Sequence, residues 1–201
     1  MYFKLKQNMI LQKSLVMLFL FQNLVNAQDT LAVPIDHDLI PDKVWMAFED
    51  DEGYIYVELS ATNKIYRSKP MGDPSGNVHF KKVKNGFHFN VNFMRGGYAV
   101  QFRYNDKTKA IEAIGLSRYE FGNAANDGSG ESSINLNTHK YIGNWHYYDL
   151  KKETLIKMAP IKRTLKFSTQ NLADFDGAIV GDFMDQCTAL YIEEKAKSNK
   201  K

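Results

Sequence analysis

The chain has 201 residues, with 26 Lys and Arg against 23 Asp and Glu, and one cysteine. Its first 27 residues hold three of those lysines and no acid, so without them 23 bases face 23 acids. That near-zero balance removes the electrostatic case for nucleic acid or an anionic membrane surface as partner. A single thiol excludes an internal disulfide, so packing alone must stabilise the fold.

Residues 1–27 read as an export signal. Lys4, Lys6 and Lys13 precede the apolar run SLVMLFLFQNLV, and VNA places Val25 and Ala27 at the small-residue cleavage positions. The apolar run is shorter than the roughly 20 residues a spanning helix needs, so no membrane span is expected after cleavage. The mature chain is expected in the periplasm or outside the cell, as one domain over residues 28–193 followed by a flexible basic tail, 194–201.

The stretch PIDHDLIPDKVWMAF opens the domain. Asp36, Asp38 and Asp42 match positions 3, 5 and 9 of a calcium-chelating loop, in which a tight turn points alternate oxygens inward around a glycine at position 6. Here Pro34 and Leu39 stand at the first and sixth positions, which makes the loop a vestigial calcium site; otherwise no cofactor is expected. The following EDDE, Glu49 to Glu52, is separated from Asp42 by strand and reads as a hairpin tip.

From there strand signals dominate, with apolar residues recurring at period two between Gly, Asn and Asp pairs. Val44, Met46 and Phe48 share a face, as do Ile55, Val57 and Leu59. The clearest hairpin is VHFKKVKNGFHFNVNFM, where Asn85-Gly86 predicts a type I′ turn that pairs Val83 with His88 and His79 with Asn92. That register puts Phe87, Phe89, Val91 and Phe93 on the core face and about 13 Å between His79 and His88, too far to share a zinc ion. Tyr98, Val100, Phe102 and Tyr104 then share one side, and Ile161, Leu165 and Phe167 alternate with Lys162, Thr164 and Lys166. Near the end the period becomes helical. Ile179, Phe183, Cys187 and Leu190 predict a helix over 178–193, with Asp176-Gly177 at its start and Cys187 as a buried structural thiol. The resulting fold class is all-β: an antiparallel meander or sandwich-like sheet with a C-terminal α-helix.

Chemistry-bearing patterns are few. The loop FGNAANDGSGESS lacks the P-loop lysine and precedes a strand, so it reads as a surface loop able to grip a partner. Its Asn126, Asp127 and Glu131, together with Trp145 and Tyr147 of YIGNWHYYDL, form the candidate ligand surface, with aromatic rings available for sugar stacking or for core packing. His146 reads as a strand surface residue.

The segments IDHDLIPDKVWMAFEDDEG, KVKNGFHFNVNFMRGG, FRYNDKTKAIEAIGLSRY and SSINLNTHKYIGNW give the chain a further likeness. It resembles exported bacterial proteins in which an aspartate-rich loop of the FG-GAP or VCBS kind leads into a β-rich domain. The resemblance implies a β-rich fold and a metal-binding ancestry for Asp36, Asp38 and Asp42. From the coherent β pattern without a convergent catalytic set, and not from the resemblance, function is expected to be that of a non-catalytic binding or structural module for a protein or glycan. The alternatives are a secreted hydrolase using acids such as Asp127 and Glu131, or an inhibitor or immunity-type protein.

Overall fold

The computed structural model describes residues 30–198 apart from Asp73, Ser75 and Asn85. The export-signal segment and the last three residues of the expected tail lie outside them. Four strands, β1 (Leu31–Val33), β2 (Asp42–Glu49), β3 (Glu52–Leu59) and β4 (Lys64–Arg67), form an antiparallel sheet in sequence order. A second, larger antiparallel sheet follows: β5 (Asn77–Val83), β6 (Gly86–Phe93), β7 (Gly96–Asn105), β8 (Ala110–Glu120), β9 (Gly130–Asn135), β10 (Lys140–Asp149) and β11 (Thr154–Lys157) also lie side by side in chain order. Two short strands complete it, β12 (Ile161–Thr164) on β10 and β13 (Gln170–Asn171) on β8. The chain ends in the helix α1 (Ala178–Ser198).

Alternation explains how these layers assemble. On β3 Ile55, Val57 and Leu59 are buried, on β6 Phe87, Phe89 and Val91, and on β7 Val100 and Phe102; all belong to one hydrophobic cluster that also holds Phe175, Phe183 and Leu190. The small sheet and α1 therefore share the inner face of the large sheet. Phe102 stacks on Phe87 at 5.2 Å and meets Phe175 edge-on at 5.2 Å, while Phe183 packs against Tyr141 and Phe167. Phe48 and Phe93 fall at strand ends and are exposed rather than part of the core.

The helix starts where expected, with the Asp176 carboxylate accepting the Ala178 N–H at 3.0 Å. It runs five residues beyond the expected end, to Ser198, because its last turns find partners: Glu194 pairs with Arg163 at 2.6 Å and Lys195 with Asp127 at 2.7 Å. Among the described residues no helix is long and apolar enough to cross a membrane.

The β5–β6 hairpin departs from the expected register. Val83 pairs with Gly86, Lys81 with His88 and His79 with Asn90, so the chain turns one residue earlier than an Asn-Gly turn would place it; Asn85 itself lies outside the described residues. Gly86, at φ +123°, sits inside the ladder, and a Cβ there would run into the Phe102 carbonyl oxygen of β7. The glycine serves close backbone approach, not the turn. His79 and His88 are consequently two register steps apart, about 7 Å, on the same face of the sheet.

Candidate functional site

The aspartate-rich loop is explained by its own backbone. Asp38 Oδ1 accepts the Ile40 N–H at 2.8 Å and Asp36 Oδ1 the Asp38 N–H at 3.4 Å, which supports a loop where His37 and Leu39 adopt φ of 72° and 69°. Asp42 is fully buried, one oxygen accepting the Ile35 N–H at 2.7 Å and the other the Ser60 N–H at 2.9 Å. It staples the loop to the end of β3. Burial and, secondarily, the charges of Asp42 and Asp38 push the Asp36 carboxyl up, despite the Asp38 N–H it accepts. Among the described residues no three His, Cys, Asp or Glu side chains gather where they could hold a metal, and Asp36, Asp38 and Asp42 form no such set.

The expected ligand surface is divided by the fold. Trp145 and Tyr147 point inward and are buried, Trp145 lying 6.0 Å from the Tyr191 ring of α1. They are core residues, because the helix covers the face on which they stand. Asp127 receives the Tyr148 N–H at 2.7 Å, the Tyr191 hydroxyl at 3.1 Å and the Lys195 ammonium at 2.7 Å. Desolvation opposes its charge, yet Lys195 and those donors hold the carboxyl below its ordinary range. A general acid needs the opposite shift. Asn126 and Glu131 remain exposed, and His146 lies 3.3 Å from the Ser129 carbonyl.

Cys187 is buried on the inner face of α1, 3.2 Å from the Ser132 hydroxyl, and burial pushes its thiol up, with Ser132 and Arg118 opposing. Arg118, also buried, donates to the Met184 carbonyl at 2.6 Å and to the Thr188 hydroxyl at 3.0 Å, and pairs with Glu120. This cluster fastens the helix to the sheet.

The other face of the large sheet carries a pattern that single strands do not reveal. Since Phe87, Phe89 and Val91 point inward, His88, Asn90 and Asn92 point outward, and the registers align them with their neighbours in rows. One row runs from His88 through Gln101 and Gly115 to Asn135, flanked by Lys81 and Lys140. The next runs from His79 through Asn90, Ala99, Ser117 and Ser133 to Ile142. A third runs from Asn77 through Asn92, Gly97, Tyr119 and Glu131 to Asn144. Six strands at about 4.8 Å spacing make each row about 24 Å long.

This face is amide-, imidazole- and hydroxyl-rich, with charges at its margins. Its centre is a trough because Ala99, Gly115, Ser117 and Ser133 are small. The side-chain hydrogen bonds on it run within the sheet: the Asn92 amide meets His79 Nδ1 at 3.3 Å and its oxygen accepts the Tyr119 hydroxyl at 3.0 Å. Gly97 permits that bridge, since a Cβ there would lie 2.8 Å from the Tyr119 ring. Burial lowers the His88 pKa, with a Gln101 hydrogen bond acting against it and Lys81 with it. Ser117, Ser133 and Asn144 have no side-chain hydrogen-bond partner among the described residues.

Two register steps beyond the first row, Arg103 stands opposite Glu112. There the face deepens into a cleft of about 340 Å³ lined by Arg103, Asn105, Asp106, Lys107, Glu112 and Asn137, with Tyr104 and Ile114. A wider, shallower depression of about 580 Å³ follows Lys140, Ile142 and Lys162 at the β10–β12 edge. The small sheet's outer face also carries aromatic rings, but these cover one another: Trp45 stacks on Tyr56 at 5.2 Å and 8°, and the Arg67 guanidinium lies 3.8 Å over Tyr54.

Comparison with known protein families, with curated proteins and with solved structures found no match.

Proposed function

We propose that the protein is an exported, non-catalytic binding module that takes a glycan on the outer face of its large sheet. The observation that carries this reading is the set of three aligned rows of amides, imidazoles and hydroxyls around a small-residue trough, on the one face of that sheet that neither α1 nor the small sheet covers. Such a surface offers mixed donors and acceptors at low charge, which matches a polyhydroxylated ligand. A stable protein partner would call for a larger apolar centre than Ile142 and Tyr119 supply. The signal-like first 27 residues, and the likeness to exported proteins with an aspartate-rich loop, support an extracytoplasmic setting.

The test is a glycan array probed with the mature chain and with Ser117→Arg, which fills the trough from a position that faces solvent. The native chain binds a subset of glycans and S117R binds none of them, at unchanged thermal stability. A native chain that binds no glycan, or an S117R variant that binds equally well, overturns the reading.

A further inference from the structure

Within that glycan-binding reading, on which this step rests, we propose that the cleft at the β7–β8 end of the polar face holds the carboxylate of an acidic sugar, with Arg103 as its anchor. The cleft's polar side chains are unequally committed to partners. Glu112 accepts the Asn105 amide at 3.0 Å and the Thr108 hydroxyl at 3.0 Å. Asp106 faces His37 at 3.7 Å and Lys109 at 4.0 Å. Asn105 is likewise spent, its oxygen accepting the Lys107 N–H at 3.0 Å. Arg103 and Lys107, by contrast, are exposed and have no acceptor among the described residues, although Glu112 is the direct cross-strand neighbour of Arg103. Asn137 is exposed in the same cleft and its amide is equally uncommitted.

The groups left over are therefore two cations and one amide, and what complements them is an anion carrying hydroxyls. A guanidinium presents a planar fork that matches a carboxylate bidentately, which a lysine does not. Asn137 is placed to bond a ring hydroxyl, and Lys107 adds unspecific attraction. The cleft volume falls within the about 300–1,000 Å³ typical of ligand sites. Along β7 Arg103 stands four residues, about 13 Å, beyond Ala99, the cross-strand partner of Ser117, so a chain whose neutral units lie across Ser117 and Ser133 can seat one acidic unit beside Arg103.

The experiment is a binding titration of the mature chain against a polyuronate, the same polymer methyl-esterified, and a sulfated neutral glycan. The polyuronate binds best, esterification weakens it roughly tenfold or more, and the sulfated polymer binds no better than the esterified one. Arg103→Gln reduces polyuronate binding to the esterified level without changing binding of the ester, Arg103→Lys falls between, and Asn137→Ala weakens both polymers modestly. Equal binding of polyuronate and ester, a preference for sulfate, or an R103Q variant that behaves like the native chain overturns the inference while leaving the glycan platform in place. Failure of all three polymers and of the array together removes both.

Discussion

Replacing Asp42 by alanine separates a structural staple from a metal ligand. Its two carboxylate oxygens satisfy the Ile35 and Ser60 N–H groups at 2.7 and 2.9 Å in a fully buried setting. Each buried donor left without an acceptor costs about 1–3 kcal/mol, and relief from burying the carboxylate offsets part of the sum, so Asp42→Ala should cost about 3 kcal/mol. For a domain of this size that is a melting-point loss of about 6–12 °C. Asp42→Asn keeps one acceptor but turns its NH2 toward the second N–H, and should cost about 2 kcal/mol. Asp36→Ala and Asp38→Ala touch only exposed loop bonds and should each cost under about 1 kcal/mol. Urea unfolding in calcium and in chelator measures all four, and the native midpoint should be the same in both buffers. An Asp42→Ala change within about 0.5 kcal/mol, or a calcium-raised midpoint abolished by Asp36→Ala, would refute the reasoning.

Other expectations follow from single contacts. Gly86→Ala drives a methyl into the Phe102 carbonyl at φ +123° and should destabilise by at least about 2 kcal/mol, whereas Gly181→Ala, with open space around it inside α1, should stabilise by about 0.5–1 kcal/mol; chemical denaturation of the pair checks both signs. The Asp127 carboxyl is depressed in the fold, so its pairing stabilises above its unfolded value near 3.8 and is lost as pH falls below that. Against Asp127→Asn, the native chain's stability advantage should vanish in acid, and hydrogen exchange should show the last turns of α1 loosened by the substitution. His88 is depressed too, which for a base means the unfolded chain takes up the proton first: stability should decline as pH falls below about 6.5, and His88→Gln should flatten that slope in a pH series of unfolding curves.

Much of the fold was legible in local pattern. The period-two faces of β3, β6 and β7 and the helical spacing of Ile179, Phe183, Cys187 and Leu190 reflect burial of one side of each element, which a sequence displays directly. The hairpin register was misread because Asn-Gly signals a turn strongly, while the need for Gly86 comes from Phe102, sixteen residues away. Trp145 and Tyr147 look the same in sequence whether they face a ligand or a helix; only the placement of α1 decides. The helix end was missed for the same reason, since Lys195 is held by Asp127 across the fold. The polar rows were least visible. His88, Gln101, Ser117 and Ser133 each read as ordinary solvent-side residues of separate strands, and only the pairing registers bring them into one surface.

The central claim, that this outer face is the binding surface, is tested most directly by backbone amide NMR of the labelled mature chain titrated with the best array glycan. Shift changes concentrated at His88, Asn90, Gln101, Ser117 and Ser133, and extending toward Arg103 with an acidic glycan, are the expected result. Shifts confined to Trp45, Tyr54 and Tyr56 on the small sheet, or none at saturating glycan, would contradict it.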